Sequence, residues 1–251
     1  MAGFITFFFV SLQDRFIYFP DKADISDLES ASLRPWPSPD DFRGLIADPP
    51  GQKRGTVVVF HGNAGHAGHR GFYAEKLKSY GLRVILAEYP AYGPRDGHVG
   101  ESNFVEDASD ILSRAYAMYG APLLVIGESL GSGVAAAAVG GQRDKVAGLL
   151  MITPWNRLED VATYHFPWLP VRWLLRDKYD SERSLRGFTR PVAVLVAERD
   201  RTVPPTAGRA LYEALSGPKR LTVVNGADHN DWQAHVAPDW WPKTIDFLLG
   251  P

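Results

Sequence analysis

Five residues, Gly127-Glu128-Ser129-Leu130-Gly131, constrain this chain more than any other feature of it. They close the apolar run Leu123–Gly127 (LLVIG) and lead into Ser132–Val139, a stretch of small residues with alanine at 135–138. G-x-S-x-G alone recurs by chance. Between a strand and a helix it reads as a nucleophile elbow, a sharp turn that lifts a serine hydroxyl clear of a sheet. A serine in a strained backbone conformation needs flanking residues without side chains, because a Cβ there would meet the adjoining strand and helix. Alanines let the helix sit close on the sheet. Its N-terminus, with unpaired N–H groups and the positive end of the helix dipole, favours negative charge developing at the serine.

The rest of the chain supplies the frame such a turn requires. Short apolar runs recur at Thr56–Phe60, Arg83–Tyr89, Val146–Thr153, Val192–Glu198 and Arg220–Asn225, each bounded by glycine, proline or polar residues. Near-continuous apolar strands are what a parallel sheet covered on both faces demands. Helical patterns alternate with them at Phe72–Tyr80, Asn103–Tyr119, Ala207–Leu215 and Trp240–Leu249. In Asn103–Tyr119 the apolar residues fall on one face, with Asn103 and Glu106 as a capping pair and Gly120 as the stop. The spacing predicts an α/β fold: one domain over 1–251, a mostly parallel central sheet, and helices on both faces. The proline-rich first 50 residues are expected to be irregular wrapping plus one edge strand around Phe42–Ile46. Between the strands at 146–153 and 192–198 lie 38 residues rich in tryptophan, tyrosine and phenylalanine. A segment that long, 154–191, predicts a small helical cap or lid over the sheet edge.

A serine hydroxyl attacks only when a base takes its proton and a third group orients that base. In elbow folds the acid and then the base follow the serine in chain order. Asp200 ends the run VAVLVAERD, 71 residues after Ser129, and His229 follows the last strand 29 residues later. Ser129, Asp200 and His229 are therefore the expected triad. Asp228, Asp231 and His235 are the nearest competitors, with His235 expected to be an exposed helical residue. Two backbone N–H groups must hold the oxyanion. One is assigned to Leu130, the other to Asn63 in the loop His61-Gly62-Asn63-Ala64-Gly65, with Ala64 as the alternative. Trp155, Phe166, Trp168 and Trp173 in the cap are the expected substrate-binding residues.

Composition excludes several other classes. There is no cysteine, so no disulfide, no thiolate metal site and no cysteine nucleophile. The formal charge of −2, with cationic residues scattered singly, gives no case for nucleic acid. No metal and no cofactor are expected: His66-x-x-His69 has no carboxylate near it at ligand spacing, and the glycine-rich loop is neither a P-loop nor a dinucleotide fingerprint. The N-terminus opens MAGFITFFFV, and its apolar run ends by Leu12, short of the roughly 20 residues a spanning helix needs. Residues 1–15 thus predict either a core-docked segment or weak membrane association, and a cytoplasmic or membrane-associated protein.

GESLGSG, HGNAG, ERDRTVP and GADHND together resemble the α/β-hydrolase superfamily over about 16–249. Ile17–Asp21 (IYFPD), PWNRLEDVA and the aromatic stretch after it resemble its serine-aminopeptidase-like and depalmitoylase-like single-domain serine hydrolases. The resemblance implies the α/β-hydrolase fold, a Ser-Asp-His triad at Ser129, Asp200 and His229, and often an N-terminal hydrophobic anchor, which here maps onto Phe4–Leu12. Where relatives often read Asp-Tyr-Arg-Gly-Tyr-Gly, this chain has Glu88-Tyr89-Pro90-Ala91-Tyr92-Gly93. The expected activity is hydrolysis of small-molecule carboxylic esters with short to medium acyl chains through an acyl-enzyme. A thioesterase or protein deacylase, acyl transfer to an alcohol, and a non-catalytic lipid- or partner-binding scaffold are the alternatives.

Overall fold

The computed structural model describes residues 13–30 and 32–250. The apolar run Phe4–Leu12 lies outside them. Eight strands form the central sheet: β1 (Arg34–Pro37), β2 (Phe42–Ala47), β3 (Gly55–Phe60), β4 (Leu82–Ala87), β5 (Leu123–Glu128), β6 (Val146–Ile152), β7 (Val192–Ala197) and β8 (Lys219–Val224). Their order is β8-β7-β6-β5-β3-β4-β2-β1, with β1 and β2 antiparallel and every other neighbouring pair parallel apart from β2 against β4.

Successive side chains of one strand feed opposite cores, as the period of two requires. Val58 and Phe60 of β3, with Val125 of β5, meet α2 (Glu101–Tyr119), α3 (Leu130–Gly141) and α7 (Pro205–Ala214). Val57, Val59, Leu124 and Ile126 meet α1 (Gly71–Lys78) and α9 (Trp240–Leu249) on the other face. The connection from β6 to β7 carries α4 (Leu158–His165), α5 (Val171–Leu174) and α6 (Ser181–Ser184). The one-turn α8 (Trp232–His235) follows the His229 loop.

Two expectations need correction. The edge strand is Arg34–Pro37, not Phe42–Ile46, which lies one place further in. Prolines 35 and 37 made that stretch read as irregular, but an edge is where missing ladder donors are tolerated. The helix expected from Asn103 starts at Glu101 behind Gly100, whose φ of 131° ends the preceding loop. Glu101 accepts the backbone N–H groups of Lys178 and Tyr179 from the cap connection, and Asn103 instead donates back to the carbonyls of His98 and Val99. Among the described residues no helix is long and apolar enough to cross a membrane.

Candidate active site

Strand register assembles the site. Phe60 of β3 lies opposite Gly127 of β5, so the two strands end together and set His61-Gly62 beside Glu128-Ser129. Ala197 lies opposite Val224, so the loops carrying Asp200 and His229 also start side by side.

Ser129 sits at φ 53°, ψ −118°, a region a side chain rarely occupies. The surrounding chain holds it there: its N–H donates to the Ile152 carbonyl at 2.9 Å. A Cβ at Gly127 would come within 2.5 Å of the Gly131 carbonyl oxygen, and one at Gly131 within 2.0 Å of the Phe60 carbonyl oxygen. Both glycines are therefore steric requirements, as the motif predicts.

His229 Nε2 lies 2.9 Å from Ser129 Oγ, and His229 Nδ1 lies 2.7 Å from Asp200 Oδ2. Asp200 and His229 are buried while Ser129 is half-buried, so the chain runs from the interior to an accessible hydroxyl. The second Asp200 oxygen accepts the N–H groups of Thr202 (2.9 Å) and Val203 (2.7 Å). This turn fixes the carboxylate, and its signal in the sequence is the aspartate two residues ahead of threonine. The competing groups are occupied elsewhere. Asp228 accepts from the His229 N–H and from Arg201, which together hold its carboxyl at about 2; Asp231 accepts from the Asp228 N–H; His235 is exposed on α8. Trp232, three residues past His229, packs edge-on or tilted with Trp240 and Trp241, ring centroids 4.8 to 6.1 Å apart, so three of the seven tryptophans belong to this core cluster rather than to the cap.

Leu130 opens α3 directly after the nucleophile. Gly62 packs against Ser129, where an added Cβ would lie 3.6 Å from the serine Cβ, and Asn63 follows it. The Asn63 side chain is engaged away from that contact: its Nδ2 donates to the Ile17 carbonyl at 3.1 Å. Glu128 turns toward α1, where it accepts from the Tyr73 hydroxyl at 2.8 Å. Burial, with the Glu128 carboxylate adjacent, pushes the Tyr73 phenol well above its ordinary range and keeps it a donor.

The four cap aromatics do not act together. Trp155 is in the core, donating its indole N–H to the Tyr179 carbonyl at 3.2 Å. Trp168 and Trp173 are 66% and 85% exposed; Trp168 packs edge-on against Phe166, and the one-turn α5 buries Val171 and turns Trp173 outward. Phe166 does line a cleft of about 400 Å³ between the cap and the strap formed by residues 13–21, whose Phe19–Pro20 pairs with Ala64–Gly65; Phe16, Ile17, Leu158, Val161 and Leu174 line it too. Aliphatic residues on α4 and α5, rather than tryptophans, form its walls, and the strap residues become part of it only through folding. The strap also brings Asp21 to His66 and His69, a carboxylate that sequence spacing does not reveal; the ligand atoms lie within 4.8 Å of one another. The two imidazoles are stacked at 3.6 Å with planes 28° apart.

The sheet order, the elbow and the loop-borne acid and base define an α/β-hydrolase. Est1E of Butyrivibrio proteoclasticus, solved with ferulic acid, shares the fold at a TM-score of 0.63 and 18% identity over 80% of this chain and 94% of that one. The serine aminopeptidase S33 family matches residues 51–181, and the chain belongs to that family. An uncharacterised protein of Mycobacterium tuberculosis is 33% identical over 92% of this chain and 84% of its own length. The lysophosphatidylserine lipase ABHD12 of Danio rerio is 28% identical over 66% of this chain, which spans about half (48%) of that protein. The chain is thus an α/β-hydrolase of the serine aminopeptidase S33 family.

Proposed function

We propose that the protein is a serine carboxylester hydrolase acting on short to medium acyl chains. The observation that carries this is the continuous hydrogen-bonded path Oγ–Nε2–Nδ1–Oδ2 through Ser129, His229 and Asp200, at 2.9 and 2.7 Å. Ser129 Oγ attacks the acyl carbon while His229 Nε2 takes its proton, and Asp200 stabilises the imidazolium that forms. The N–H groups of Leu130 and Asn63 hold the oxyanion, the first aided by the α3 dipole. Collapse of the tetrahedral intermediate releases the alcohol, protonated by His229. Water then enters by the same route in reverse and frees the acid.

The apolar cleft beside the cap takes the acyl chain. Its size falls in the range of small-molecule sites, and Ile17 joins it to the Asn63 loop through one hydrogen bond. The carboxylates that could hold a peptide's free amine have other partners: Glu128 faces Tyr73, Glu159 lies 3.6 Å from Arg172, and Asp160 accepts from Asn156. That favours esters over aminopeptide substrates despite the family's name.

The test is a panel of p-nitrophenyl esters of rising chain length, with fluorophosphonate labelling of the intact protein. Turnover that peaks at short to medium chains, loss of turnover in Ser129→Ala, and a label on Ser129 are expected. Undiminished turnover in the variant, or a label elsewhere, refutes the proposal.

A further inference from the structure

The loop that carries Asn63 is held by an unusual set of acceptors and donors. Five successive backbone carbonyls each have a donor: His61 from the Tyr89 hydroxyl (2.7 Å), Gly62 from His61 Nδ1 (2.7 Å), Asn63 from the Tyr92 hydroxyl (2.7 Å) and the Phe19 N–H (3.1 Å), Ala64 from Arg70 (3.1 Å), and Gly65 from the Asp21 N–H (3.4 Å). A peptide unit is planar and trans, so fixing one carbonyl fixes the next N–H in the opposite direction. The Gly62 carbonyl therefore sets the direction of the Asn63 N–H. Its donor, His61 Nδ1, is the only side chain in the set whose capacity to donate depends on its protonation and tautomer.

Behind His61 stands Glu88, and both side chains are buried. His61 Nε2 lies 3.0 Å from Glu88 Oε1. The same carboxyl accepts the Ala67 N–H at 2.8 Å and the Tyr89 N–H at 3.2 Å. The Glu88 backbone is itself anchored, since Arg95 donates to its carbonyl while gripping Asp107 with both nitrogens. Room for the carboxyl comes from Gly93: a Cβ there would lie 2.6 Å from Glu88 Oε2. His61 thus spans two acceptors, with Nδ1 against a carbonyl and Nε2 against a carboxyl, and it is a proton on Nδ1 that lets it donate to the Gly62 carbonyl.

We propose that His61 and Glu88 are positioning residues, a buried pair that orients the Asn63 N–H toward the oxyanion by locking the Gly62 carbonyl away from it. The inference rests on the ester-hydrolase reading above. Neither side chain touches substrate. The pair acts on the transition state through the loop, so its loss lowers kcat and leaves ground-state binding nearly unchanged.

Two amides at position 61 separate the functions of the two ring nitrogens. In His61→Asn the amide nitrogen stands near Nδ1 and still reaches the Gly62 carbonyl. In His61→Gln it stands near Nε2 and reaches Glu88 alone. We expect His61→Gln to lose about 10- to 100-fold in kcat with KM within about twofold, a fraction of what losing an oxyanion donor outright costs. His61→Asn should stay within about fivefold of the unmodified enzyme. Affinity for a trifluoromethyl ketone, whose hemiketal mimics the oxyanion, should weaken in step with kcat/KM. Glu88→Gln, which keeps the shape of the side chain, should lose about tenfold in kcat alone, and it decides the matter if His61→Gln fails to melt cooperatively. Full kcat in both His61→Gln and Glu88→Gln, or equal losses in the two position-61 variants carried by KM, overturns the positioning role while Ser129→Ala remains inactive. If the unmodified chain neither turns over any ester nor labels at Ser129, the ester-hydrolase reading fails, and the positioning role falls with it.

Discussion

Gly131→Ala tests whether the elbow is as tight as its geometry implies. The added Cβ would stand 2.0 Å from the Phe60 carbonyl oxygen, 2.5 Å from the Phe60 carbonyl carbon and 2.6 Å from the His61 carbonyl oxygen. All three are backbone atoms of a central strand and the loop leaving it, so no rotamer change relieves the overlap. Real Cβ atoms essentially never approach within 3.0 Å, so α3 and the end of β3 must part by about 1 Å in a close-packed interior. Overpacking of this kind costs about 1–3 kcal/mol and sometimes more, and the upper end is expected here because the obstacle is backbone. The same displacement moves Ser129, at the head of α3, relative to His229, and about 1 Å of misplacement can cost on the order of 100-fold in turnover. Gly141 at the other end of α3 is the control: an added Cβ meets nothing within 4 Å, its φ is not in the left-handed region, and Gly141→Ala should be neutral or stabilising by up to about 1 kcal/mol. Urea unfolding and p-nitrophenyl butyrate turnover on both variants provide the measurement. Gly131→Ala within about 0.5 kcal/mol of the unmodified protein and at full activity would refute the steric argument.

Trp155 and Trp173, both expected from the sequence to bind substrate, should behave oppositely in stability. Trp155→Ala removes a buried indole and strands the Tyr179 carbonyl, for a loss of about 3–5 kcal/mol by urea unfolding. Trp173→Ala, 85% exposed, should change stability by less than about 0.5 kcal/mol, and a loss above 1 kcal/mol would mean that α5 packs differently. Asp177 joins the strap to the cap, accepting from the Tyr18 hydroxyl at 2.6 Å and from Arg176 at 2.8 and 2.9 Å. Burial opposes its ionisation, but hydrogen bonds from Arg176 and Tyr18 outweigh burial and hold the carboxyl below its ordinary 3.8. A carboxyl lowered on folding stabilises above the unfolded value and loses that contribution as pH falls through the folded one. Asp177→Asn should therefore cost about 1–3 kcal/mol at pH 7, with the gap to the unmodified protein closing below pH 3.8; a gap unchanged at pH 2 would refute the assignment.

What was legible in the sequence is what repeats or what a rigid motif dictates. The apolar runs of β3 to β7 are read correctly because a strand buried on both faces needs almost every side chain apolar, as in Val57–Phe60. The positions of Ser129, Asp200 and His229 follow from strand ends that the fold brings into register, and their hydrogen bonds follow from that register rather than from any local preference. Groups whose partners lie far along the chain were illegible. Tyr18 meets Asp177 across 159 residues, and Asp21 reaches His66 and His69 only once the strap pairs Phe19–Pro20 with Ala64–Gly65. The cap shows the same division within one segment. Its composition is aromatic throughout, yet Trp155 is claimed by the core and Trp173 by solvent, while the cleft is walled by leucine and valine from α4 and α5 and by Phe16 and Ile17 from the strap. Aromatic content marks that a segment packs against something. Which side chains face a substrate is decided by where one-turn helices such as α5 point, and a four-residue helix has no periodicity from which that direction can be read.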